Sequence, residues 1–203
     1  MPTVMLMNDS RHGLHEGLMA FHHMHMMVQM FELLLIVFPE LKIETDSIAD
    51  SSARCVFQGG QSSSTINGTI DFRQMTNVVR LTGEISGLNP GNHGFHIHTV
   101  GVIDNNCEAA GGHYNPLNRN HGNLNTFVRH LGDLGNMFAN INGVATVNIQ
   151  TRGISLSGTT SVIGRALVIH ANQDDLGVGS DLQSKATGNS GARIGCCLIF
   201  RES

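Results

Sequence analysis

The residues best suited to chemistry crowd between His93 and Asp133, in the stretch HGFHIHTVGVIDNNCEAAGGHYNPLNRNHGNLNTFVRHLGD, which holds six of the chain's 12 histidines. His96 and His98 stand two residues apart. On an extended strand such residues project from one face, so both imidazoles reach a common centre. His113, His121 and His130 follow in a Gly- and Asn-rich segment closed by Asp133. Three imidazoles and one carboxylate suit a tetrahedral zinc site, and an imidazole-rich site beside it suits copper. A lone histidine is more often a surface or hydrogen-bonded core residue than a ligand. The density of this group, in a segment poor in lysine, is what favours metal.

The elements that must position these side chains read as strands. The chain has 203 residues with 24 glycines, no tryptophan, and many short apolar runs with few long helical periods, which points to an all-β fold with tight turns. Candidate strands are 54–57, 64–74, 77–88, the run GFHIHTVG from Gly94, two strands within 133–151, 161–171 and 194–200. Ile66, Gly68, Ile70 and Phe72 share one face of the second, and Val79, Leu81 and Ile85 one face of the third, with polar residues between. Asn142-Gly143 predicts a type I′ hairpin. Val168 and His170 share a face. Residues 172–193 show no apolar periodicity and read as a long loop. About eight strands with two long, functional loops make an antiparallel sandwich or flattened barrel.

One domain is expected over residues 53–203, preceded by an extension, residues 1–50, of different texture. Most of the 10 methionines fall in that extension, with the cluster His22, His23, Met24, His25. Its apolar segment MMVQMFELLLIVF is interrupted by Gln29 and Glu32 and is too short for a stable membrane span. It suits the apolar part of a signal segment, with small-x-small sites at Ser47-Ile48-Ala49 and Ser51-Ser52-Ala53, although Arg11 is the one strong positive charge ahead of it. A disordered extension or leader is the alternative. The protein is secreted on the first reading, with Asn67 in a glycosylation sequon, and cytoplasmic on the second. A net charge of −4 and 14% charged residues leave no basic footprint for nucleic acid. The four cysteines, Cys55, Cys107, Cys196 and Cys197, are too few for a disulfide-dense scaffold and form no CxxC pair.

GFHIH at 94–98, GGHYNPLNRNHG at 111–122, RHLGDLGN at 129–136, VIHANQDDLG at 168–177 and GNSGARIGC at 188–196 together resemble the copper–zinc superoxide dismutase family, over about 150 residues from Ala53. The resemblance implies a Greek-key β-sandwich or flattened barrel, superoxide as substrate, and one copper and one zinc ion per chain. It implies copper at His96, His98, His113 and His170, and zinc at His113, His121, His130 and Asp133, so that His113 bridges both and serves in catalysis. Asp174 matches the carboxylate linking a copper-binding to a zinc-binding histidine, and Arg193 the catalytic arginine beside the open copper position. His93 is left as a structural hydrogen-bonding residue. Cys107 and Cys196 match the intrachain disulfide. A homodimer and loading by a copper chaperone follow from the same resemblance.

Departures from the family's pattern carry expectations too. Cys197 stands where a glycine is usual. Adjacent strand residues face opposite ways, so one of Cys196 and Cys197 faces the loop; Cys196 is chosen, and Cys55 is expected to be a small buried hydrophobe. Leu182, Gln183 and Ala186 replace the charged residues of the guiding loop, leaving Lys185 to help steer superoxide. Phe200 and Arg201 stand where dimer-packing residues are small and apolar, and Val102 and Ile103 where the loop is typically polar. A copper chaperone-like protein would add an MxCxxC domain and a CxC tail, and neither is present. A non-catalytic copper/zinc-binding module would have lost a copper ligand or the arginine.

Overall fold

A computed structural model describes residues 51–58 and 65–202. These lie within the unit Ile48–Ser203. The expectations for residues 1–50, extension, signal and histidine cluster alike, fall outside the described residues.

Alternating apolar residues form nine strands. They are β1 (Ser52–Phe57), β2 (Asn67–Gln74), β3 (Val79–Ser86), β4 (Gly91–His98), β5 (Asp133–Ala139), β6 (Ala145–Thr151), β7 (Ala166–His170), β8 (Arg193–Leu198) and β9 (Phe200–Arg201). All pairings are antiparallel, in the order β8-β7-β4-β5-β6-β3-β2-β1-β9. The last predicted strand is thus split at Ile199, which turns inward and is fully buried. Because β8 and β9 are consecutive in the chain, one segment closes both ends of the sheet, and the sheet rolls into a nearly closed barrel. Barrel closure leaves few edges to aggregate. β3 pairs with β6 and β4 with β7, the crossovers of a Greek key.

Phe72, Leu81, Ile85, Phe95, Ile97, Leu167 and Ile169 fill the barrel and are fully buried. Each such side chain contributes roughly 1.5–3 kcal/mol. On β4 and β7 the odd-numbered residues face this core, which leaves His96, His98, Val168 and His170 on the other face. There the long loops cover them. A separate small cluster, Cys107, Ala110, Ala166, Val168 and Cys196, seals the first loop onto β7 and β8.

Three sequence expectations are corrected. Cys55 is buried, but it is disulfide-bonded to Cys197, with Cα atoms 5.5 Å apart. Cys196 points outward to Cys107, at a Cα separation of 5.9 Å. The alternation that sends Cys196 to the loop sends Cys197 into the core, where β1 presents Cys55. The β5–β6 connection is not type I′, which needs positive φ at both central residues. Only Gly143 has positive φ (71°). Gly143 N–H donates to Asn140 O, Asn140 and Val144 close the loop, and Asn140 Oδ1 accepts from the N–H of Asn142 and Val144. That is a three-residue hairpin loop ending in a glycine bulge. Finally, the second long loop contains helix α1 (Leu182–Thr187), where Asp181 caps the N-terminus by accepting from Ser184 N–H and left-handed Gly188 (φ 68°) ends it.

Candidate metal centre

β4 brings His96 and His98, β7 brings His170 from the adjacent strand, and the loop after β4 folds back so that His113 bridges to His98. One ligand atom from each of His96, His98, His113 and His170 falls within a sphere where all lie less than 4.8 Å apart, and the same holds for His113, His121, His130 and Asp133. All these residues are buried. In the first group, His98 Nε2 and His170 Nε2 are 3.3 Å apart. In the second, Asp133 Oδ1 lies 2.9 Å from His113 Nδ1, 3.1 Å from His130 Nδ1 and 3.0 Å from His121 Nδ1, the last without hydrogen-bond alignment.

These spacings test whether the groups fit metal. Four donors held about 2.0 Å from a tetrahedral ion are about 3.3 Å from one another. The donors already sit near that separation. Moreover His96 Nδ1, His113 Nε2 and His121 Nδ1 are buried without a hydrogen-bond partner. Burying a polar nitrogen unpaired is costly, so such atoms converging on two points fit a metal ion at each.

Their remaining nitrogens are fixed by the protein. Asp174, fully buried, holds His96 Nε2 through Oδ2 and His121 Nε2 through Oδ1, each at 2.8 Å. One carboxylate thereby orients a ring in each group. Gly188 makes room for it, since a Cβ there would lie 1.9 Å from Asp174 Oδ1. His98 Nδ1 faces Gly111 O at 2.8 Å, and His170 Nδ1 faces Gly191 O at 3.1 Å. His93 is not in either group. Its ring nitrogens face His170 O and Asn89 O, each at 2.8 Å, and tie the His170 backbone to the turn before β4.

Burial is the largest influence on His96, His98 and His113, and it holds all three below the usual histidine value. Burial likewise takes His170 down to about 4. These imidazoles are neutral at pH 7, as ligation requires. His121 behaves differently: burial opposes its charge, but Asp133 and Asp174 on its two nitrogens raise it to about 9. Burial would raise Asp133 and Asp174, yet hydrogen bonds from the histidines prevail, holding Asp133 far below the carboxylate range and Asp174 at about 2. A cation entering this group replaces the proton on His121.

A cavity of about 360 Å³ opens onto His98, His113 and His170 and is also lined by Glu108, Gln183, Asn189 and Arg193. A larger one, about 650 Å³, lies around Leu117, Phe127 and Arg152 and contains none of the donors. Arg193 enters β8 opposite His170. Its guanidinium is held by the carbonyls of Cys107 (2.6 Å), Glu108 (3.2 Å) and Gly111 (2.6 Å). The Cys107–Cys196 disulfide fastens that loop to β8. Lys185 does not line the cavity. Its ammonium donates to Gly177 O, and its carbonyl accepts from His121 N–H, which ties the second long loop to the first. Glu108 lies outside the sequence motifs, and its one signal in the sequence is its place beside Cys107.

With the geometry known, comparison with other proteins is direct. The family model described as Copper/zinc superoxide dismutase (SODC) matches residues 66–199. A copper-zinc superoxide dismutase of Arabidopsis thaliana is 50% identical over 139 residues, covering 68% of this chain and 85% of the relative. One of Dictyostelium discoideum is 49% identical over 152 residues, covering 73% and 97%. An extracellular copper-zinc superoxide dismutase of Brugia pahangi is 47% identical over 137 residues, covering 66% and 69%.

Proposed function

The chain belongs to the copper/zinc superoxide dismutase family, and from that premise we propose that His96, His98, His113 and His170 hold its copper while His113, His121, His130 and Asp133 hold its zinc. It is an oxidoreductase that disproportionates superoxide, two superoxide ions and two protons giving O₂ and H₂O₂, with copper and zinc as cofactors. What supports the residue assignment most is His113. Its buried Nε2 is unpartnered among the imidazoles of one group, while its Nδ1 lies 2.9 Å from the Asp133 carboxylate of the other.

Copper supplies the one-electron chemistry, and zinc, which has no redox chemistry, shapes the site. Arg193, permanently charged and fixed by three carbonyls, docks the anion in the cavity beside His98 and His170. His113 Nε2 is the atom that holds the proton passed to the reduced substrate. Asp174 keeps the His96 and His121 rings in the tautomer that turns Nδ1 toward metal. A titration of metal binding tests the assignment. His113→Ala lowers affinity for both ions, His170→Ala for copper alone and His130→Ala for zinc alone; a His113→Ala protein that keeps both affinities contradicts it.

We also propose that the chain is secreted and folds in an oxidising compartment. All four cysteines are paired in two disulfides, and such bonds persist outside reducing cytosol. Asn67, exposed at the start of β2, is then open to glycosylation. A homodimer is proposed through Val100, Val102, Leu198 and Phe200, which are 42%, 41%, 38% and 43% exposed. Gly101 packs beside Leu198 and joins these residues into one patch. Arg201 leaves that patch apolar by donating to Leu156 O. Loading by a copper chaperone fits donors this deeply buried. Among the described residues no helix is long and apolar enough to cross a membrane.

A further inference from the structure

The loop pinned by Cys107–Cys196 carries an acid to the mouth of the copper site. Glu108 lines the same cavity as His98, His113 and His170, and its Oε2 lies 4.0 Å from Arg193 Nε. The Glu108 side chain is 64% exposed and that of Arg193 16%, so a solvent-washed carboxylate faces a fixed guanidinium. Two of the Arg193 donors on Nη1 and one on Nη2 are taken by backbone carbonyls, which leaves Nε among the donors available to an incoming anion. Among the described residues lining this cavity Arg193 is the one permanent cation and Glu108 the one carboxylate. Gln183, Thr187 and Asn189 on the opposite rim are uncharged, and Lys185 is engaged elsewhere.

We propose that Glu108 is a positioning residue that competes with superoxide for the Arg193 guanidinium and thereby attenuates capture of the substrate. This rests on the docking role of Arg193 given above. A negative charge 4.0 Å from Nε offsets the charge of the guanidinium that draws the anion in. Removing it leaves the mouth net positive, which accelerates anion entry and makes the rate depend more on salt. Glu108 makes no contact with the donor groups, so its loss leaves metal content unchanged.

The test is Glu108→Gln and Glu108→Asp in the metal-loaded full chain. The Gln variant is expected to raise kcat/KM for superoxide roughly two- to fourfold at low ionic strength, the scale of one charge several ångströms away in water. The gain fades at high salt and vanishes in an Arg193→Ala background, while the Asp variant stays near wild type. Independently of activity, inorganic phosphate titrated against the Arg193 Nε–H NMR signal of the reduced, metal-loaded protein binds more tightly to Glu108→Gln than to wild type. An active wild type with unchanged or lower kcat/KM and unchanged phosphate affinity in the Gln variant overturns the attenuation. A wild type holding both metals but lacking dismutation overturns the reading on which it rests.

Discussion

At the scale of single residues, four imidazoles of the centre, His96, His98, His113 and His170, are kept neutral by burial. That has a consequence for the metal-free protein. His96, His98, His113 and His170 bind protons near pH 6.5 when unfolded, but all are lowered in the folded chain, His170 to about 4. Between pH 6.5 and 4 the unfolded state therefore binds more protons, and stability falls with pH. His170 alone is worth about 3 kcal/mol over this window. His121, raised to about 9, contributes stability that is full below 6.5 and lost as pH climbs toward 9, so it does not offset the acid loss. The expected observation is a lower thermal midpoint for metal-free protein at pH 4.5 than at pH 7. An equal or higher midpoint at pH 4.5 contradicts it.

At the scale of elements, the residues that gather in the two donor groups were legible because period-two strand geometry and family motifs both act on local sequence. His96 and His98 on β4 needed only the alternation rule. Other features needed information the local pattern does not carry. Cys55 and Cys197 are 142 residues apart, and their pairing depends on which strands face each other across the barrel. Helix α1 has only six residues, too few to show a period, and its signals were the caps Asp181 and Gly188. The β5–β6 turn follows from Asn140, whose side chain organises the loop from outside the Asn-Gly pair.

The two disulfides predict different losses. Cys55→Ala with Cys197→Ala removes a core link worth up to roughly 5 kcal/mol in the chain-entropy model and leaves dismutation intact. Cys107→Ala with Cys196→Ala costs a similar stability but also slows turnover, because the carbonyls of Cys107, Glu108 and Gly111 that hold Arg193 come loose. Thermal unfolding and superoxide assays on the two double variants check this, and equal activity losses in both would contradict it.

At the scale of the whole molecule, barrel closure by the single segment of β8 and β9 places the apolar patch and Arg193, the proposed docking residue, on one strand run. Leu198 and Phe200 lie on the patch, and Arg193 lies at the other end of β8. Phe200 stood in the sequence as an obstacle to dimerisation. In the fold it pairs with Arg54 through β9 and stays 43% exposed beside Leu198. On the proposed dimer, wild type is expected to sediment as a dimer and a Leu198→Glu, Phe200→Glu variant as a monomer at the same concentration, with dismutation per chain largely kept. An unaltered sedimentation coefficient places the interface elsewhere.

The central claim is that two donor groups sharing His113 make one dismutation centre. It is tested most directly by counting copper and zinc per chain alongside a cytochrome c competition assay on wild type and His170→Ala. The account predicts one ion of each metal and dismutation in wild type, and retained zinc with lost copper and lost dismutation in His170→Ala. Full activity in His170→Ala would contradict it.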